Sequence, residues 1–304
     1  MRALVLGAGA TGGYFGSRLI AAGHDVGFLV RPARALRLAS EGLRVQATKG
    51  VFAAPVNAFT EISIGDAWDL VILSCKAYDL DSAIAAIAPA IGPKTQVLPL
   101  LNGLRHLDAL DAAFGASRVL GGLCHISVAL DAESVIQQVG SVDRLTFGAR
   151  SPAQVISPAV RDGLLAMQVD VRESDDILGA MWNKFTFLSA LAGITCLLHG
   201  TIGEIAAAPD GAALASHLYF ECAETARRSD HAPAESAIAE AIGTLTATGS
   251  PLKASMLRDL DRGATTEVEH VLGDMLARAQ ALEVDAPLLA AACTRLRIHE
   301  KRLA

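Results

Sequence analysis

Apolar and polar positions change period halfway along the chain. In the first half, apolar runs of strand length occur at Leu4–Leu6, Val26–Val30, Leu70–Ser74, Gln96–Leu100, Val119–Cys124 and Asp143–Phe147. Between them lie segments with helical spacing, Gly13–Ala22, Ala33–Ser40, Asp79–Ala90 and Arg105–Ala112. Strands alternating with helices predict a parallel sheet covered on both faces. From Glu41 to Phe59 the pattern reads as a small antiparallel excursion: Gly42–Val45, a turn at Lys49-Gly50, then Val51-Phe52. A strand over Val169–Arg172 closes this half.

Beyond Glu173 the β-branched alternation stops. Ile177–Leu198, Gly211–Asp230, Ala234–Thr246 and Thr266–Ala281 read as helices, and Pro287 opens a last one ending near His299. The pattern predicts an α/β Rossmann-like domain over residues 1–172 and an all-α domain over 173–304, with no internal repeat and no low-complexity linker. Ligand clefts commonly form at such interdomain seams.

Composition narrows the class. The chain has 304 residues, 52% apolar and 19% charged, enough to bury a large core. A net charge of −6 without any basic block argues against a nucleic-acid partner. The five cysteines, Cys75, Cys124, Cys196, Cys222 and Cys293, form no C-x-x-C and have no histidine cluster beside them. They predict reduced thiols in a cytoplasm and no metal site. The charge-free stretch from Phe185 to Gly203 approaches membrane-spanning length, but its hydroxyls and glycines suit a buried core helix better, so no membrane is expected. The glycine turn beginning at Gly7 interrupts the apolar stretch near the N-terminus, which argues against a signal peptide.

That turn is the first candidate for chemistry. Gly7-Ala8-Gly9-Ala10-Thr11-Gly12 follows a strand and opens a helix, the context in which G-x-G-x-x-G binds a dinucleotide. Gly7 permits the tight turn, Gly9 a close approach to the pyrophosphate, and Gly12 close packing of helix on strand. Unpaired N–H groups and the helix dipole then favour the phosphate. The second strand ends without the Asp or Glu usual in an NAD site; Arg31 stands there, with Arg34 three residues on. A guanidinium grips a 2′-phosphate, so the cofactor is read as NADP(H) rather than NAD, FAD or S-adenosylmethionine. Ordinary solvated arginines remain the alternative.

Polar residues also appear at the carboxyl ends of the third and fourth strands, where open α/β sheets bind ligands: Lys76 and Asn102. A loop charge and plain Asn-Gly turn chemistry are the alternatives. In the helical half, Lys184 stands at the edge of an apolar run, where an ammonium faces either a wet cleft or the solvated end of a core helix. Ser255 and Glu267 follow, the latter open to reading as a first-turn acid.

The ordered set of G-x-G-x-x-G, strand-end Arg31, Lys76-Ala77, Asn102-Gly103, Trp182-Asn183-Lys184, Ser255-Met256 and Thr266-Glu267 resembles the ketopantoate reductases (2-dehydropantoate 2-reductases) along the whole chain. The resemblance implies NADPH-dependent reduction of ketopantoate to pantoate, on the route to pantothenate and coenzyme A. It implies that residues 7–12, Arg31, Lys76, Asn102 and Glu267 contact the cofactor. Lys76, Asn102, Lys184 and Ser255 would contact the keto acid, with Lys184 the general acid and Glu267 orienting substrate or lysine. The expected partner is a small-molecule 2-keto acid; a homodimer stays open.

The departures carry information. Leu188, Ala192, Ile202 and Leu252 stand where well-studied members carry asparagines. A substrate hydroxyl buried without partners is costly, so a less polar 2-keto acid or ketone is the first alternative substrate. Ser189, Thr195 and His125 are the candidates to replace the lost contacts. The alternative of another class is a protein that binds or senses NADP(H) without turnover.

Overall fold

The computed structural model describes residues 1–62 and 68–303. The chain divides into two compact units, Met1–Leu101 with His106–Ile177, and Asn102–Arg105 with Leu178–Ala304.

In the first unit, β1 (Arg2–Leu6), α1 (Ala10–Ala21), β2 (Asp25–Leu29) and α2 (Pro32–Glu41) come in turn. Then follow β3 (Leu43–Ala47), β4 (Gly50–Ala54), β5 (Asn57–Phe59), β6 (Leu70–Leu73) and α3 (Leu80–Ile87). The unit continues through β7 (Gln96–Pro99), α4 (Arg105–Phe114), β8 (Gly121–Leu130), β9 (Ile136–Gly148), α5 (Pro158–Leu165) and β10 (Asp170–Glu173). Strands β5-β2-β1-β6-β7 make one all-parallel sheet. All four residues of β6 are fully buried, as expected for a strand covered on both faces. The chain runs outward from β1 to β5, then returns to lay β6 on the other side of β1. That reversal is the point at which such sheets bind ligands, beyond their carboxyl ends.

The remaining strands correct the expectation of a single parallel sheet. They form a second five-stranded sheet in which β10, β9, β3 and β4 are neighbours and β8 pairs antiparallel with β9. Leu43–Ala47 and Gly50–Ala54 form the expected hairpin, but Asn57–Phe59 joins the first sheet beside β2. The apolar runs at Val119–Cys124 and Asp143–Phe147 mark only the inner ends of a longer β8–β9 ribbon. Its inner residues, such as Cys124 and Leu145, are buried, whereas much of its outer half is exposed, Leu130, Val139 and Val142 included. An apolar-run reading sees only the buried half.

The second unit is helical. It comprises α6 (Ile177–Leu198), which begins one residue before it, α7 (Ile202–Ala207), α8 (Gly211–Arg228), α9 (Glu235–Leu245), α10 (Ser255–Asp261), α11 (Asp274–Ala281) and α12 (Pro287–Leu303). Its core includes Phe185, Ile194, Leu218, Cys222, Leu272, Leu289 and Cys293. Helix α6 is apolar and long enough to cross a membrane by composition, and 61% of its most apolar window is buried within the fold. Trp182 stacks on His231 with ring centroids 5.3 Å apart, and the Arg278 guanidinium lies 5.4 Å from the Trp182 ring centroid. The helix expected over Thr266–Ala281 is interrupted: residues Glu269–Gly273 form a π-helical turn, closed by Gly273 N–H donating to Val268 O at 2.8 Å. All five cysteines are free thiols.

Gly12 fixes how closely α1 lies on the first sheet. A Cβ there would overlap the Gly7 carbonyl oxygen and Ser74 Oγ. Around Gly9 nothing lies within 4 Å of an added Cβ. Gly12→Ala is therefore expected to cost about 1–3 kcal/mol through overpacking, read as a lower urea midpoint with unchanged slope. Gly9→Ala is expected to leave that midpoint in place.

Candidate active site

The dinucleotide half is built at the ends of β1 and β6. Gly7 has φ +91°, a left-handed conformation that glycine adopts without penalty, and its N–H donates to Leu29 O at 2.9 Å. Ser74 Oγ donates to Leu6 O at 3.1 Å, fastening the end of β6 to β1. Helix α1 begins at Ala10, three residues earlier than the periodicity indicates, so Ala10, Thr11 and Gly12 form its first turn. Its N-cap, Gly9, provides no side-chain cap, and the first turn holds no acid. The first N–H groups of a long helix thus have no side-chain acceptor at a glycine that leaves space around it. This arrangement suits an anion.

Arg34, on α2, donates from Nε to Ala8 O at 3.1 Å. Its Nη2 is buried without a hydrogen-bond partner. Burial, then the neighbouring Arg37, lowers its pKa. An orphaned guanidinium nitrogen beside the glycine turn fits a phosphate-bearing ligand. Arg31 is the N-cap residue of α2 and its side chain is 79% exposed; its Nη2 donates to Asp79 Oδ1 at 2.8 Å. Lys76 is half-buried and precedes a 3-10 turn, Ala77–Asp79.

The helical half gathers the other residues. Asn102 and Gly103 belong to this unit although they follow β7 in the chain. Gly103 has φ +80°, and a Cβ on it would lie 2.9 Å from the His270 carbonyl oxygen. The Asn102 backbone hydrogen-bonds the His270 side chain. Burial pushes the His270 pKa down, partly opposed by Glu267, so the ring stays neutral near neutral pH. Glu267 is half-buried, and its carbonyl accepts from His270 N–H and Val271 N–H at 3.1 Å each. Glu267 thus sits at the entry to the π-helical turn, a feature frequent at functional sites.

Helix α12 holds this entry from behind. Glu300 Oε1 accepts from both N–H and Oγ1 of Thr266, each at 2.8 Å. Arg297 forms a bidentate pair with Glu269 at 2.7 and 2.8 Å. Lys184 is half-buried and is the one charged residue of the 22-residue α6. Ser255 is exposed in the first turn of α10.

The proposed replacements for the missing asparagines fare differently. Ser189 is fully buried and lies roughly 140° around α6 from Lys184 at 3.6 residues per turn. Thr195 Oγ1 donates to Leu191 O at 2.6 Å. His125 is exposed on β8. Sequence reading did not single out Asp79, His270 or Glu300. Their partners lie far off in the chain, and no local pattern marks such pairs. Among the described residues no group of three His, Cys, Asp or Glu side chains is placed to hold a metal ion.

A glycine turn opening the first helix of a parallel sheet, followed by a helical unit, is the plan of a dinucleotide-binding protein. Comparison specifies the family. The model for "Ketopantoate reductase PanE/ApbA" matches residues 3–152, and that for "Ketopantoate reductase PanE/ApbA C terminal" matches residues 176–300. The chain belongs to the ketopantoate reductase family. It is 36% identical to the "Uncharacterized oxidoreductase YkpB" of Bacillus subtilis (strain 168), over 99% of both chains. A PanE/ApbA family ketopantoate reductase from Ralstonia eutropha JMP134 matches with TM-score 0.87 and 25% identity, over 99% of each chain. A D-mandelate dehydrogenase solved with NADH and anilino(oxo)acetate shares the fold at TM-score 0.88 and 20% identity, over 100% of this chain and 99% of that one.

The geometry around Gly9 makes a direct prediction. Gly9→Ala should weaken binding of a reduced nicotinamide dinucleotide by about tenfold, ~1.4 kcal/mol. Fluorescence titration of the nicotinamide checks it, beside a melting curve that should match wild type.

Proposed function

We propose that this chain reduces a 2-keto acid to the 2-hydroxy acid with NADPH, with ketopantoate to pantoate as the leading reaction. The observation that carries the reading is Lys184, a half-buried ammonium on a helix with no other charge. Bound reduced nicotinamide supplies a hydride. As charge grows on the ketone oxygen, the Lys184 ammonium stabilises it and donates the proton. Glu267, at the entry to the π-helical turn that Glu300 and Arg297 fasten, orients the lysine or the substrate. Ser255 binds the substrate carboxylate, and Asn102 and Lys76 contact cofactor and keto acid. Residues 7–12 and Arg31 hold the dinucleotide, supported by the open first turn of α1 and the unpartnered Arg34 nitrogen.

A second substrate reading rests on the face of α6 that carries Lys184. Leu188 and Ala192 lie one and two turns beyond the lysine, roughly 40° and 80° around the helix; the first is half-buried and the second buried. Neither side chain can hydrogen-bond a substrate hydroxyl. This favours a 2-keto acid less polar than ketopantoate on the same scaffold.

NADPH oxidation with ketopantoate and a panel of apolar 2-keto acids tests both readings. Lys184→Ala is expected to lower kcat by about 10²-fold or more while NADPH still binds. Preference for an apolar keto acid selects the second reading. Tight NADPH binding with no oxidation on any substrate would mean a non-catalytic binding protein.

A further inference from the structure

The carboxylate missing from the end of β2 is supplied in space by another segment. Asp79 lies 48 residues after Arg31, and its Oδ1 accepts from the Arg31 Nη2 at 2.8 Å. It sits at the N-cap of α3, where an aspartate side chain ordinarily accepts from first-turn N–H groups. Asp79 makes no such cap bond. Its carboxylate is committed to the arginine instead.

We propose that Asp79 is a cofactor-selecting residue. The inference rests on the reading that Arg31 faces the adenosine ribose. A strand-end carboxylate accepts from the ribose hydroxyls of NADH, whereas a 2′-phosphate is repelled by it and needs the guanidinium. Asp79 and Arg31 place both groups side by side. NADH binds with the pair intact, and NADPH binds by drawing Arg31 away from Asp79. An exchange of this kind is cheap, because the Arg31 side chain is 79% exposed and that of Asp79 is 32% exposed. Exposed ion pairs contribute little to stability. The site therefore accepts both dinucleotides, and the balance between them is set by one carboxylate.

The test is the dissociation constants of NADPH and NADH, by nicotinamide fluorescence, for the full chain and for the Asp79→Asn and Arg31→Ala variants. Asp79→Asn should tighten NADPH and weaken NADH, shifting their ratio by about tenfold in all, with an unchanged melting temperature. Arg31→Ala should shift the ratio the opposite way by a similar factor. Asp79→Asn leaving the ratio unchanged, while Arg31→Ala still costs NADPH binding, would overturn the proposal and spare the NADPH reading. Arg31→Ala leaving NADPH binding intact would overturn both.

Discussion

The close approach of α1 to β1 is the constraint on which the rest of the first unit depends. Gly12 allows the helix to start against the Gly7 carbonyl and Ser74, and that start fixes where its unpaired N–H groups point. The same contact ties β1 to β6, because Ser74 Oγ is bonded to Leu6 O. These two strands flank the reversal of the sheet, so one packing event sets both the uncapped start of α1 and the origin of the Lys76–Asp79 segment. A side chain at Gly12 would disturb all of these at once. A side chain at Gly9 would disturb only what binds there.

The helical unit works on a different principle. Its helices bury a continuous apolar core, and the proposed catalytic residues stand where the regularity of that pattern changes, in charge or in backbone. Lys184 is the single charge of α6. Glu267 stands where a π-helical turn replaces α-helix, and Gly103 reaches His270 through a left-handed backbone conformation. The last helix, α12, contributes no expected ligand contact, yet Glu300 and Arg297 hold both flanks of Glu267. Irregular backbone that carries function needs such bracing, because it lacks the repeating hydrogen bonds of a regular helix.

The parts legible in the sequence are those encoded by neighbouring residues. The glycine turn, the buried parallel strands and the charge-free stretch of α6 each follow from local period and composition. The second sheet is only half legible, since the outer β8–β9 ribbon is solvent-facing and mixes its apolar residues with polar ones and a glycine, as at Val139-Gly140-Ser141-Val142. The interruption before α11 was hidden because a π turn keeps apolar residues such as Val271 and Leu272 at near-helical spacing. Asp79 was out of reach for another reason. Arg31 stands at the end of β2, and its carboxylate partner comes from beyond β6, a pairing that exists only once the sheet has formed.

In the proposed function this chain passes a hydride from reduced nicotinamide to the ketone carbon of a 2-keto acid. The most direct measurement follows deuterium from NADPH labelled at the transferring position of the ring, with ketopantoate and apolar 2-keto acids as acceptors. The account predicts deuterium on the hydroxyl-bearing carbon of the product, and loss of that product in Lys184→Ala. Unlabelled product, or no product from any keto acid although NADPH is bound, would contradict it.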